Sequence, residues 1–155
     1  LSFKINYNLS TIMEIKFADS SNVEYISNSL VSEYERTNEE FGYQRYREDY
    51  NLMYKHVSKR IEEDGKFKYF VALENGKEVG FINILIDENG MGSILMLCGD
   101  RKDIKEGLIM RAIEYFKENG IQSVLGEVMT YDKESIEILK TLGMKEVMIT
   151  FKVEI

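Results

Sequence analysis

Two Asn-Gly pairs, each set between apolar runs, constrain this sequence more than any other feature. In "FKYFVALENGKEVGFINILI" and again in "INILIDENGMGSILMLC", the flanking residues have the apolar density of strands. Asn75-Gly76 and Asn89-Gly90 accept the positive φ of a type I′ turn, whose twist matches that of paired strands. Both connections are expected to be tight hairpins, and 67–98 a three-strand antiparallel meander.

Directly after the meander comes "GDRKDIKEGLIMRAIEYFKENG", residues 99–120. Ile104, Leu108, Ala112 and Phe116 form one apolar row of a helix, Ile109 and Ile113 widen it, and Asn119-Gly120 ends it. "IQSVLGEV" then reads as a strand. Strand, helix and strand over 92–128 make a crossover unit, which should be right-handed with its two strands parallel. Upstream, residues 2–9 alternate as a strand does, and "MEIKF" is a second short strand. Asp19 or Ser20 can cap a helix bearing Val23, Ile26, Leu30 and Tyr34 on one stripe. Residues 37–47 are polar, with Phe41, Tyr43 and Tyr46 among them. A second helix is expected from Glu48 to Asp64, with Tyr50, Met53, Val57 and Ile61 on one face. "DKESIEILKTLG" is a short helix with Gly143 at its C′ position, and "MKEVMITFKVEI" a closing strand. The class is α/β (α+β): a mixed, mostly antiparallel sheet with one parallel pair and helices on both faces. Residues 13–155 read as a single domain. Residues 1–12 read as an N-terminal extension carrying an edge strand, or as an appended remnant.

With 155 residues, 44% of them apolar and 30% charged, the chain can bury an ordinary core. A net charge of −7 repels nucleic acid, and no basic stripe reverses the field locally. A cationic small molecule or a basic peptide suits it better. No run approaches the roughly 18 apolar residues of a membrane span. The first residues show neither a basic start nor a long apolar block, so no signal peptide is visible. Cys98 is alone, which excludes an internal disulfide and a cysteine-built metal centre; a reducing cytoplasm and no metal are expected.

The junction at 98–106 is where such a sheet gathers ligands, beyond the carboxyl end of a parallel strand and at a helix N-terminus. A phosphate there uses free backbone N–H groups and about half a positive charge from the helix dipole. Glycine helps because no Cβ blocks approach. Here Arg101, Lys102 and Lys105 are offset by Asp100, Asp103 and Glu106. With Asp103 as N-cap and Glu106 three residues on, the sequence forms a capping-box pattern in which the protein supplies its own anion. Two readings stand side by side: a self-capped structural helix, or an anion site with a weak grip. An exposed lysine–phosphate contact adds on the order of 1 kcal/mol.

The order of elements from Met13 onward resembles the GNAT superfamily of acyl-CoA-dependent acetyltransferases. "MEIKFADSSNVEYISNSL" looks like that family's first strand and helix, and "YFVALENGKEVGFINILI" like its second and third strands. "YDKESIEILKTLGMKEV" is similar to its ending, N-x-x-(A/S)-I-x-(V/L)-(L/Y)-x-x-x-G-F, with Ser135, Ile136, Ile138, Leu139 and Gly143 in place. The resemblance implies a slot between the two parallel strands for the pantetheine arm of acetyl-CoA, held by backbone groups near Leu95, Met96 and Leu97. Its pyrophosphate motif, R/Q-x-x-G-x-G/A, falls on Asp100 through Lys105. Both glycines and the leading Arg or Gln are absent in that register, and a shift of two residues restores only Gly107. The family's frequent Asn is Asp132 here, and its frequent catalytic Tyr is Leu139. Cofactor contacts implied by the resemblance are Leu95, Met96, Leu97, Arg101, Lys102, Asp103, Ile104, Lys105, Asp132, Ser135 and Leu139.

For catalysis, Glu127 on the strand after the helix is a candidate general base, or an outward-facing carboxylate. Tyr131 is a candidate proton donor to the leaving thiolate, or a packing residue at the rim. Asp132 also suits the N-cap of its helix. His56 reads as a half-exposed structural residue and Cys98 as a small buried one. Tyr34, Tyr43, Tyr46, Tyr50 and Tyr54 line an acceptor site or simply pack. The function implied is transfer of an acetyl group from acetyl-CoA to a small-molecule or peptide amine by direct attack in a ternary complex. No nucleic-acid or membrane partner is implied, and a homodimer is left open. The alternative is a non-catalytic binding module that has lost coenzyme A, which Asp103, Lys105 and Leu139 favour.

Overall fold

A computed structural model describes residues 3–7, 11–41, 49–63 and 65–147. Asn75 and Gly76 both take positive φ, 51° and 81°, and turn β3 (Phe67–Glu74) into β4 (Lys77–Ile86), as a type I′ hairpin requires. The second hairpin forms, but its turn differs from expectation. Only Gly90 has positive φ, at 75°, whereas Asn89 does not. Asp87 organises this turn instead: its carboxylate accepts from the N–H groups of Asn89 (2.9 Å) and Met91 (2.8 Å). A short acidic side chain at the first turn position offers the backbone this alternative.

The meander is completed by β5 (Gly92–Gly99) and extended by β2 (Thr11–Phe17) beside β3 and β1 (Phe3–Tyr7) beside β2. β6 (Val124–Gly126) lies parallel to β5, so the six strands follow one another in chain order and only the last pair is parallel. α1 (Val23–Phe41) and α2 (Tyr50–Glu62) cover one face; α3 (Lys102–Glu118) and α4 (Lys133–Thr141) cover the other. The expected α/β class, mixed sheet and two covered faces are therefore present. α1 runs further into the polar segment than expected, as far as Phe41. Tyr43 and Tyr46 lie outside the described residues, as do residues 148–155 of the expected closing strand.

Alternation along β4 sorts the core. Phe81 packs with Val23, Ile26, Leu30, Met53 and Val57 under α1 and α2. Ile82 and Ile84 pack with Ile104, Leu108, Ala112 and Phe116 of α3 and Ile138 of α4. Each large apolar side chain fully buried this way contributes about 1.5–3 kcal/mol relative to exposure. Both α3 and α4 end in a Schellman motif. Ile121 N–H reaches the Phe116 carbonyl at 2.9 Å, and Met144 N–H reaches that of Leu139 at 3.0 Å, past Gly120 and Gly143 in left-handed conformation.

Candidate functional site

The β5–β6 ladder is short. It pairs Gly92 with Val124, Ser93 with Leu125 and Ile94 with Gly126, and its last bond runs from Glu127 N–H to the Ile94 carbonyl at 3.2 Å. β5 continues to Gly99 with no strand beside it on that side among the described residues. A bulge sets the point of parting. Asn83 of β4 pairs with Met96 and Ile84 with Ile94, which leaves Leu95 without a partner. An extra residue of this kind bends its strand and increases the local twist. Met96 and Cys98 consequently face α1 and α2, while Leu97 faces α3.

Beside this open edge is a cleft of about 370 Å³ between α1 and the end of β5. Tyr25, Asn28, Ser29, Ser32 and Glu33 line it from the helix, and Cys98, Gly99 and Asp100 from the strand. No basic side chain is among them. Burial, with Asp100 adding to it, pushes the Tyr25 phenol up to about 12. Burial likewise holds the Cys98 thiol far above its ordinary range, so it is no nucleophile at neutral pH.

Of the two expected catalytic side chains, Tyr131 is drawn into a cluster with α1. Its Oη lies 2.9 Å from Thr37 Oγ1 and 3.5 Å from a Glu33 carboxylate oxygen. Thr37 donates its own proton to the Glu33 carbonyl at 2.8 Å, which leaves Tyr131 as donor to Thr37. Arg36 stacks over the Tyr131 ring, 4.5 Å from its centre. Burial is the main cause of the raised Tyr131 pKa, and it keeps the phenol protonated at neutral pH. Glu127 sits just beyond β6 and is exposed. Glu33 is the residue that sequence reasoning passed over: it lines the cleft and meets Tyr131, 98 positions away.

The start of α3 differs from its expected cap. Arg101, with extended backbone, is the N-cap and makes no side-chain capping bond; Asp103 stands two residues later, so the capping box with Glu106 does not form. The Asp103 carboxylate is held below the ordinary range chiefly by Arg101, with help from the backbone N–H groups of Asp103 and Ile104. The protein's own anion is therefore at the helix start, but from inside the first turn. Arg101 is committed on two sides: its guanidinium donates to both Glu74 oxygens (2.8 and 3.2 Å) and to both Asp103 oxygens (3.1 and 3.2 Å). Lys102 donates to Glu137 at 3.0 Å. Lys105, only 13% exposed along its side chain, meets Asp132 at 3.3 Å and Glu134 at 3.1 Å. Its stem packs over Gly99 so closely that a Cβ there would lie 3.0 Å from the Lys105 Cγ.

Asp132 caps α4, accepting from Ser135 N–H at 3.1 Å and Ser135 Oγ–H at 2.6 Å. Ser135, Ile104 and Leu139 are buried; Leu139 packs into the core within reach of Gly126, where the strands part. His56 and Tyr54 are exposed on α2, and Tyr50 is half-buried beside Tyr54. The strand edge at Leu95, Met96 and Leu97 thus suits an extended pantetheine arm, whereas the start of α3 does not suit a pyrophosphate. Among the described residues no group of three or more His, Cys, Asp or Glu is placed to hold a metal ion, and no helix is long and apolar enough to cross a membrane.

No family model matches the sequence, and neither does any curated protein. Solved structures do match. Aminoglycoside N-acetyltransferase AAC(6')-Iy in complex with CoA is 12% identical, with a TM-score of 0.70 over 96% of this chain and 98% of its own. The aminoglycoside acetyltransferase meta-AAC0020, from an uncultured soil metagenomic sample and in complex with sisomicin, is 17% identical, with a TM-score of 0.62 over 92% and 96%. A transcriptional regulator from Bacillus halodurans C-125 is 19% identical, with a TM-score of 0.69 over 92% and 99%. At such identities the likeness is one of architecture: the chain has the fold of the GNAT acetyltransferases.

Proposed function

We propose that the chain is an acyltransferase that moves an acetyl group from acetyl-CoA to the amine of a small acceptor in a ternary complex. The observation that carries this reading is the parting of β5 and β6 after Ile94, which leaves β5 from Leu95 to Gly99 without a strand on that side among the described residues, with Cys98 and Gly99 at its end lining a polar cleft. The amine nitrogen bonds to the acetyl carbon, the carbon–sulfur bond breaks, the amine loses a proton and the thiolate gains one. Glu33, which lines the cleft, is assigned as one proton acceptor and Glu127, acting through water, as the other; Tyr131 is assigned as proton donor to sulfur. The cleft's hydroxyls, its amide and its two carboxylates suit a cationic amine bearing hydroxyl groups. The likeness to an aminoglycoside acetyltransferase in complex with sisomicin supports that acceptor class. A cytoplasmic location suits the single free cysteine. Thiol release from acetyl-CoA in the presence of a panel of hydroxylated amines tests the reading. Absence of both thiol release and any rise in melting temperature with millimolar acetyl-CoA would reject it, because a ligand at 100 times its Kd adds about 2.7 kcal/mol.

One observation favours a second reading, a non-catalytic module that no longer binds coenzyme A: Arg101, Lys102 and Lys105 are all paired with carboxylates. Amine-independent absence of both binding and turnover would select it.

A further inference from the structure

We propose that the chain recognises its acyl donor through the pantetheine thioester arm alone, so that an acyl-pantetheine without the nucleotide serves nearly as well as acyl-CoA. This rests on the acyltransfer reading and adds which part of the donor is held. An extended arm needs backbone donors and acceptors in a row, and β5 offers them from Leu95 to Gly99, with no strand beside it there among the described residues. A nucleotide pyrophosphate needs positive charge and unobstructed amides at the start of α3, and these are already taken. Arg101 is gripped from both sides by Glu74 and Asp103, Lys102 by Glu137, and Lys105 by Asp132 and Glu134. The Asp103 carboxylate faces the first-turn amides itself. Counting residues 98–106, residues 131–137 and Glu74, four basic side chains stand against seven acidic ones, Lys133 included. Phosphates entering this region would displace carboxylates from their cations and meet a net negative field. A gripped pyrophosphate, with several charge-assisted hydrogen bonds, is thereby replaced by an internal network.

The test compares kcat/KM for acetyl-CoA and for S-acetylpantetheine with one amine acceptor, and the Kd of CoA and of pantetheine by calorimetry. The two donors should agree within about tenfold, whereas several charged hydrogen bonds to phosphate would separate them by more than about a hundredfold. A preference for the nucleotide-bearing donor above a hundredfold overturns the inference; any smaller preference supports it. In a Glu74→Gln, Asp132→Asn double variant, where asparagine keeps the α4 cap, removing one of the two carboxylates that hold each of Arg101 and Lys105 should raise the acetyl-CoA preference about fivefold or more. An unchanged ratio counts against the inference. If neither donor is turned over, binding decides. Pantetheine bound within a hundredfold of CoA keeps the inference while the acyltransfer reading falls, and binding of neither overturns both.

Discussion

Lys105 Nζ lies 3.3 Å from Asp132 Oδ1, and this pair ties the start of α3 to the start of α4 above the point where β5 and β6 separate. Burial pushes the Asp132 carboxyl up, but bonds from Ser135 and the charge of Lys105 outweigh it and hold the pKa below the ordinary range. A group whose folded pKa is depressed contributes stability above its unfolded value and loses it as pH falls through the folded one. Burial alone would depress Lys105, but Glu134 and Asp132 leave it raised, so its contribution is present at neutral pH and lost only in strong base. Asp132→Ala should cost about 1–3 kcal/mol, because it removes the cap and leaves a partly buried ammonium with Glu134 alone. Asp132→Asn should cost less, and the wild-type advantage over it should shrink as pH falls below the carboxylate range. Denaturant midpoints at pH 7 and pH 3 measure both effects.

Gly80 is a point of close approach. A Cβ there would lie 2.7 Å from the Cys98 carbonyl oxygen and 2.8 Å from Ile104 Cγ2, forcing β5 and α3 away from β4. Gly80→Ala should destabilise by about 1–3 kcal/mol through overpacking. Gly76→Ala should cost about 1 kcal/mol or slightly more, since its φ of 81° is strained for alanine although nothing lies within 4 Å. Thermal unfolding of the two variants checks the order.

If transfer takes place in the cleft, Glu33→Gln should lower kcat/KM more than Glu127→Gln, with loss of a general base on the order of a hundredfold or more. Tyr131→Phe should lower kcat with little change in KM, and destabilise by about 0.5–1.5 kcal/mol through its lost hydrogen bond to Thr37. Equal effects of the two glutamate variants would remove Glu33 from the assignment.

The Cys98 thiol should react with iodoacetamide at pH 7 more than about tenfold slower than free cysteine, because little thiolate forms at a raised pKa. Intact-mass measurement over time follows this directly. Denaturant should restore the ordinary rate.

Elements fixed by local signals were legible in the sequence. The Asn75-Gly76 turn, the apolar row from Ile104 to Phe116, and Gly120 and Gly143 as helix stops each declare themselves within a few residues. Features set by distant partners were not. Asp103 reads as a cap because its neighbours suit a capping box, but Arg101 is drawn to Glu74, 27 residues away, and the helix begins two residues earlier than that box requires. Glu33 carried no sign of its role, since a carboxylate on the polar side of a helix looks like any solvated one until Tyr131 meets it. The brevity of β6 was hidden for the same reason: "IQSVLGEV" has strand composition throughout, and only the departure of β5 stops the pairing. At the second turn the clue was present in Asp87, ahead of the more conspicuous Asn89-Gly90.

The unpartnered Leu95 makes the opening between β5 and β6 a matter of residue count. Ile94 and Met96, two positions apart, point to opposite faces, so everything after the bulge is out of phase with everything before it. Exchanging one side chain for another leaves that count untouched, whereas removing Leu95 would make Ile94 and Met96 consecutive, still on opposite faces, and would take the bend out of the strand. The gap is thus insulated from drift by substitution and exposed to one kind of accident, the loss of a codon.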